Sequence, residues 1–227
     1  MTLTRATLVA AAGGVAALGL LGSFFLVFAM LNPPMSAFMA RQWIAGVDLH
    51  HRWVRLDEVA PVMVRAVVLA EDGRFCRHRG IDMAEFDAVL RRAGNRVDQM
   101  ARGASTISMQ VAKNLFLWPD QSFARKGLEL VITPVMETFW SKRRIMEVYL
   151  NVAELGPGIF GVEAAARHHF GTSASSLTAR QASLLAKALP APIARDPARP
   201  GRQLNRLAQD LERRLARARP DLRCLET

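Results

Sequence analysis

The sequence predicts a mainly α-helical domain preceded by one transmembrane helix. Three observations carry that expectation. The N-terminus holds a long uncharged apolar run, the rest repeats apolar residues at helical spacing, and almost no stretch alternates apolar and polar residues as a half-buried strand would. The chain has 227 residues, 51% of them hydrophobic and 22% charged. That suffices for one compact domain with appendages, and is too hydrophobic for a disordered chain. Two cysteines exclude a disulfide-dense scaffold. The net charge of +10 calls for an anionic partner, whether nucleic acid, membrane surface or phosphorylated substrate. Only four of the basic residues are lysines, Lys113, Lys126, Lys142 and Lys187, so lysine position is informative where arginine position is not.

No charge falls between Arg5 and Arg41, and Ala6 to Leu31 is almost unbroken apolar sequence. About 20 helical residues cross the hydrocarbon core of a bilayer, so this run is long enough to span it with some tilt. Asn32-Pro33-Pro34 then ends any helix. A cleaved signal peptide is the rival; its apolar region is about 7–15 residues, shorter than this run. The bulky second half (Phe24, Phe25, Leu26, Phe28) also favours an uncleaved anchor. The expected organisation is an anchor over 1–34, a domain over 35–200 and a basic amphipathic helix over 201–227. Basic residues on both sides of the run leave the orientation open.

Within the domain, helical spacing appears over 60–71, 105–117, 122–133, 141–151, 161–170 and 178–189, with breaks at Gly or Pro. Pro134 is expected to end the third of these. Residues 190–200 hold four prolines and suit a linker or extended edge. Leu204, Leu207, Leu211 and Leu215 mark a final helix that packs one stripe and turns arginines outward. The run Leu115-Phe116-Leu117-Trp118-Pro119 fits either packed core or a membrane interface.

Glu71 stands out among the polar residues. It continues the apolar stripe of Val64, Val67 and Val68, near the C-terminal end of its helix, with Gly73 as a C′ residue. Desolvation and the negative helix end both disfavour its charged form, which suits general acid or base work. A glutamate turned outward and paired with Arg74 or Arg77 is the plain alternative. Next, Gly103 to Asn114 places Ser105 as an N-cap, with Thr106, Gln110 and Lys113 on one face at i, i+4, i+7. That face could bind phosphate, but on spacing alone a solvated face explains it better. Arg125, Lys126 and Glu129 can meet on one face, as an ordinary helix ion pair does. Glu147 and Asn151 are expected to be structural. No metal-binding spacing occurs among His78, His168, His169, Cys76 and Cys224, so no metal site is expected. No Walker loop, dinucleotide fingerprint or G-x-S-x-G occurs.

Together these segments resemble the peptidoglycan glycosyltransferases (family 51). Glu71 to Gly80 is similar to E-D-x-x-F-x-x-H-x-G, Gly103 to Asn114 to G-x-S-T-I-x-x-Q-x-x-K-N, Arg125 to Glu129 to R-K-x-x-E, and Lys142 to Asn151 to K-x-x-I-x-E-x-Y-L-N. Gly158 to Ala166 and Leu184 to Pro192 also fit, so the resemblance covers about residues 55 to 195. The sequence departs from many relatives at Gln121, where they carry Arg, and at His168 or His169, where they carry Tyr. The resemblance implies a lysozyme-like glycosyltransferase domain with a smaller membrane-contacting lobe. It implies polymerisation of lipid II into glycan strands, with Glu71 as general base and Glu129 as its catalytic assistant. Carried over motif by motif, the substrate-binding residues are Asp72, Phe75, His78, Gly80, Ser105, Thr106, Gln110, Lys113, Asn114, Arg125 and Lys126. The implied partners are lipid II, the growing glycan strand, inner-membrane lipids and other cell-wall synthesis proteins. The implied location is the bacterial inner membrane, with the domain on the periplasmic side. No tightly bound cofactor is implied; Mg2+ or Mn2+ stimulates some relatives. No S-x-x-K with K-T-G follows, so crosslinking is not expected.

Elementary chemistry agrees with this division of roles. A glycosidase needs an acid to protonate its leaving oxygen, whereas a diphosphate leaves as an anion and needs cations. One glutamate on an apolar stripe with Lys113, Arg125 and Lys126 suits the second case. A lytic enzyme and a non-catalytic membrane scaffold are the competing classes. Nucleic-acid binding is not expected, since the arginines show no aromatic interleaving.

Overall fold

A computed structural model describes residue 12 and residues 22–23, 25–93, 105–120 and 122–226. Most of the expected anchor lies outside the described residues. Residues 25–30 are helical, and no helix among the described residues is long and apolar enough to cross a membrane.

The domain is mainly helical, as expected. Helix α1 (Ala37–Ile44) starts where the Ser36 hydroxyl accepts from the Met39 N–H at 3.1 Å. Helix α2 (Pro61–Glu71) opens on a proline, whose missing N–H costs nothing in the first turn, and buries Met63, Val64, Ala66, Val67 and Val68. It ends through Asp72, whose backbone leaves helical geometry at φ −158°, ψ 76°. Gly73 follows without adopting the left-handed conformation that the sequence suggested for it. Helix α3 (Met83–Ala93) is an addition, not foreseen in the sequence; the Asp82 carboxylate accepts from the Ala84 and Glu85 N–H groups and starts it.

Helix α4 (Ile107–Phe116) and α5 (Phe123–Phe139) carry the next two motifs. Two expectations are corrected here. The N-cap of α4 is Thr106, one residue after Ser105, because its hydroxyl is the one that accepts from Met109 N–H, at 3.1 Å. Helix α5 runs through Pro134 to Phe139. The carbonyl that loses its partner is that of Leu130, on the exposed side, and packing of Thr133 and Met136 holds the other face.

Helices α6 (Lys142–Val152), α7 (Val162–Phe170) and α8 (Ala179–Ala188) follow, then α9 (Arg202–Arg217). Helix α9 buries Leu204, Ala208, Leu211 and Leu215 against α2 and α8. Among the described residues, three very short strands join the helices: β1 (His50–His51), β2 (Glu154–Gly156) and β3 (Ile159–Phe160). Their order is β1-β3-β2, with β1 parallel and β2 antiparallel to β3. At two or three residues each, they are too short to show alternation. Gly161 turns from β3 into α7 at φ +84°, and a Cβ there would lie 2.8 Å from the Asn151 carbonyl oxygen. Asn151 holds β1's approach by exchanging hydrogen bonds with Val54 (2.8 and 2.9 Å), and Glu147 accepts from the Leu56 N–H at 3.0 Å. Both are structural, as the sequence suggested.

A single large core gathers Phe75, Ile107, Val111, Met136, Tyr149 and Phe160. Residues 25–32 dock on it. Phe25 is buried beside Phe116, Phe139 and Trp140, the Trp140 indole donates to the Phe25 carbonyl at 2.7 Å, and Arg144 donates to the Phe28 and Leu31 carbonyls at 3.1 and 2.6 Å. Finally, Cys76 and Cys224 form a disulfide with Cα atoms 5.5 Å apart, tying the turn after α2 to the C-terminal tail.

Candidate active site

Glu71 closes α2 with its carboxylate facing α4. The Gln110 amide donates to it at 3.0 Å, and the Tyr149 hydroxyl donates to the other end of that amide at 3.1 Å. Neither arginine proposed as a surface partner takes it: Arg74 pairs with Asp82 at 3.3 Å, and Arg77 faces Asp221 at 4.0 Å. Burial pushes the Glu71 carboxyl above its ordinary value. The Gln110 hydrogen bond opposes this, as do the charges of Lys187, Lys113 and Arg195. Glu71 is thus a carboxylate with raised proton affinity, ringed by cations that make no ion pair with it.

The face of Thr106, Gln110 and Lys113 points inward, so the solvated-face reading is overturned. Thr106 is buried and its hydroxyl donates to the Gly80 carbonyl; Lys113 is half-buried, its ammonium 5.8 Å from the Phe38 ring centre. Burial lowers the Lys113 pKa, and the neighbouring cations Arg125 and Lys126 lower it further, against Glu129 and Glu71. Spacing could not distinguish the two faces, because the residues that cover this one come from α1, α2, α5 and α6.

Asp72, His78, Gly80 and Thr106 form a second group. The buried Asp72 carboxylate accepts from the Ile107 N–H at 3.0 Å and meets His78 Nε2 at 3.0 Å. Gly80 has φ +89°, and a Cβ there would lie 2.8 Å from the Thr133 methyl. Phe75 is fully buried in the core, with Lys142 Nζ 4.3 Å from its ring centre, and Asn114 is buried too. Phe75 is thus part of the hydrophobic core, and Asn114 is buried on α4. Asp72, His78 and Asp82 place one ligand atom each within 4.8 Å of one another, a grouping the sequence spacing did not suggest. Both carboxylates are already committed, Asp72 to the start of α4 and Asp82 to α3 and Arg74. That donor set fits a structural latch better than a metal site.

The third group is cationic. Glu129 is 2% exposed and in direct contact with Arg125, while Lys126 Nζ reaches its other oxygen at 2.9 Å. Lys126 also donates to the Ser105 hydroxyl at 2.9 Å. Far from a solvated helix ion pair, this is a buried cluster that holds Arg125 and Lys126 at fixed positions. Two further cations were missed by sequence reasoning. Lys187 on α8 and Arg195 beyond it both act on Glu71, and Arg195 donates to the Lys187 carbonyl at 2.7 Å. Lysine scarcity was the available signal for Lys187; nothing distinguished Arg195 from the other arginines.

A desolvated carboxylate of raised proton affinity with several cations near it, set in a helical domain, is the kind of arrangement that enzyme sites use. The chain matches the transglycosylase family model over residues 39–217 and belongs to that family. A Rhizobium meliloti (strain 1021) protein named biosynthetic peptidoglycan transglycosylase is 49% identical over 206 residues, 91% of this chain and 85% of that one. A Brucella suis biovar 1 (strain 1330) protein of the same name is 47% identical over 193 residues, 85% of each chain. Another from Jannaschia sp. (strain CCS1) is 48% identical over 206 residues, 88% of this chain and 83% of its own.

Proposed function

We propose that the chain is a peptidoglycan glycosyltransferase that polymerises lipid II into glycan strands. Glu71 takes the proton from the 4-hydroxyl of the acceptor's GlcNAc. That oxygen forms a bond to C1 of the terminal MurNAc on the growing chain as the bond from C1 to the diphosphate oxygen breaks, inverting the carbon. Undecaprenyl diphosphate leaves with the electron pair, and the proton stays on Glu71. Lys113, Arg125 and Lys126 stabilise the departing diphosphate, and Glu129 assists by holding Arg125 and Lys126 in place. The observation that carries this reading is the contrast between a raised-pKa carboxylate and a separate, ion-paired one. A diphosphate needs no protonation to leave, so one base with neighbouring cations suffices. Mg2+ or Mn2+ enters this reading only as a stimulant acting on the diphosphate.

The same proposal assigns residues 1–34 to an inner-membrane anchor, 35–200 to a lysozyme-like catalytic domain and 201–227 to a basic helix packed on it. Exposed Leu128 and Val131, one turn apart on α5, with Trp118 nearby in sequence and Met30 and Leu31 where the helical residues 25–30 end, suit contact with a bilayer. The disulfide suits an oxidising compartment and so the periplasmic side. Incubation of the full chain with lipid II tests the reading. Polymer and released undecaprenyl diphosphate are expected from the wild type and from neither Glu71→Gln nor Glu129→Gln at comparable rate. Shortening of added glycan in place of polymer would overturn it in favour of a lytic enzyme.

A further inference from the structure

Behind Glu71 lies a buried chain of two neutral groups that the proton transfer itself does not explain. The Tyr149 hydroxyl, fully buried in α6, donates to Gln110 Oε1 at 3.1 Å, and Gln110 Nε2 donates to Glu71 Oε2 at 3.0 Å. An amide has one accepting and one donating end, so the partner of one end decides what the other offers. With the phenol donating to the amide oxygen, the amide must present N–H to Glu71. That orientation is right for a carboxylate and wrong for a carboxylic acid, which has a proton of its own to donate.

We propose that Tyr149 is a positioning residue for Glu71: through Gln110 it presents a donor to the ionised base, and the amide turns over once Glu71 has accepted a proton. In the turned state the carboxyl O–H donates to Gln110 Oε1 and the amide N–H donates to the Tyr149 oxygen. Both states contain two hydrogen bonds, so Glu71, Gln110 and Tyr149 each keep a hydrogen-bond partner in either protonation state of the base. A hydroxyl suits this because it both donates and accepts, whereas a lysine or a second amide would not serve both states as simply. Burial holds the Tyr149 phenol well above its ordinary pKa, with the charges of Glu71 and Asp72 adding to that, so it keeps its proton throughout. This inference rests on Glu71 being the group that titrates in the reaction.

The chain contains a single tyrosine, so biosynthetic incorporation of 3-fluorotyrosine labels Tyr149 alone. The full chain in detergent is then titrated by fluorine NMR. The expected result is a resonance that shifts with pH at the same midpoint as the acidic limb of the polymerisation rate. The shift should vanish in Glu71→Gln and fall by more than half in Gln110→Leu. A resonance that does not titrate in the wild type, or that titrates undiminished in Gln110→Leu, overturns the relay. In activity, Tyr149→Phe and Gln110→Leu should each move the acidic limb upward by about one pH unit, roughly a tenfold loss on that limb, recovered at higher pH. The double variant should move it no further than the larger single one; additive shifts would mean that Tyr149 acts independently of Gln110. The charged groups that face Glu71 are untouched by these changes: Lys113 from α4, Lys187 from α8, Arg195 beyond it, and Asp72 with His78 on the adjoining turn. Arg214 and Asp210, which act on Lys187 from α9, are likewise unaltered. If Tyr149→Phe does not fold, the Gln110→Leu spectrum and pH profile still decide the matter. A titrating relay in a chain whose Glu71→Gln form still polymerises would sink the base assignment and leave the relay standing.

Discussion

Glu71 and Glu129 are the same side chain placed in opposite surroundings. Glu129 is buried with its charge matched by contact with Arg125 and Lys126. Among the described residues, Glu71 sits at a helix end with no ion pair, one neutral hydrogen bond and cations near enough to act on it without touching it. The first arrangement fixes geometry, because each carboxylate oxygen is held by a cation. The second leaves a lone pair with raised proton affinity where a hydroxyl could approach. Burial alone does not raise a carboxylate's proton affinity; what decides it is whether charged neighbours meet it or stand back.

Substitutions by the isosteric amide should separate the two. In Glu71→Gln the proton acceptor is gone, and polymerisation should fall about 10²–10⁴-fold while the variant still melts cooperatively and no lower than wild type, as followed by product gels and thermal melts. A variant retaining more than a tenth of the rate would erase the distinction. In Glu129→Gln the principal effect should be on stability. Arg125 and Lys126 lose their anion, and removing one member of a buried pair costs about 3–5 kcal/mol, read from denaturant unfolding. If Glu129→Gln melts like the wild type, the cluster is better solvated than its geometry implies. A third test addresses the two sides' anchorage. The Cys76–Cys224 bond, spanning 148 residues of sequence, fastens the turn after Glu71 and has no counterpart near Glu129. Its removal should cost about 2–4 kcal/mol and make stability indifferent to reductant. An unchanged melt on reduction of the wild type would show that the turn is held by Asp72 and His78 instead.

How much of this was legible depended on whether the signal was local. Glu71 was legible because an acid on an apolar stripe contradicts its own helix. The helices around it followed from spacing, since each presents one apolar face. What the sequence concealed was relational. Nothing local to Gln110 says that it will face Glu71, because α2 and α4 meet only in the folded chain. Thr106, Lys113 and Glu129 looked like solvated helix positions for the same reason. The disulfide joins residues far apart in sequence, and their count alone left open whether Cys76 and Cys224 stay reduced. The Pro134 helix violated a sound local rule, since the lost hydrogen bond falls on the exposed side at Leu130, where water can replace it. The three short strands were invisible because two residues cannot show a period of two.

The smallest expected effect is also the sharpest test of the comparison, since it concerns the unligated protein alone. An unperturbed Glu in the unfolded chain loses its proton near 4.5, whereas burial makes folded Glu71 hold its proton to higher pH. Between those two values the native state binds more protons than the unfolded one. Stability must therefore decline as pH rises from about 4.5 through the folded pKa, and level off above it. Glu71→Gln has no proton to lose at this position. Its melting temperature relative to wild type should be constant at acid pH, move in its favour through that window, and then stay constant. Lys113 and Lys187 enter from the alkaline side, lowered by burial from 10.5, and do not produce an acid-side transition. Glu129→Gln should instead melt below wild type at neutral pH. If the Glu71→Gln difference does not widen above about pH 4.5, the fold does not desolvate Glu71, and the physical reason for singling it out as the base disappears.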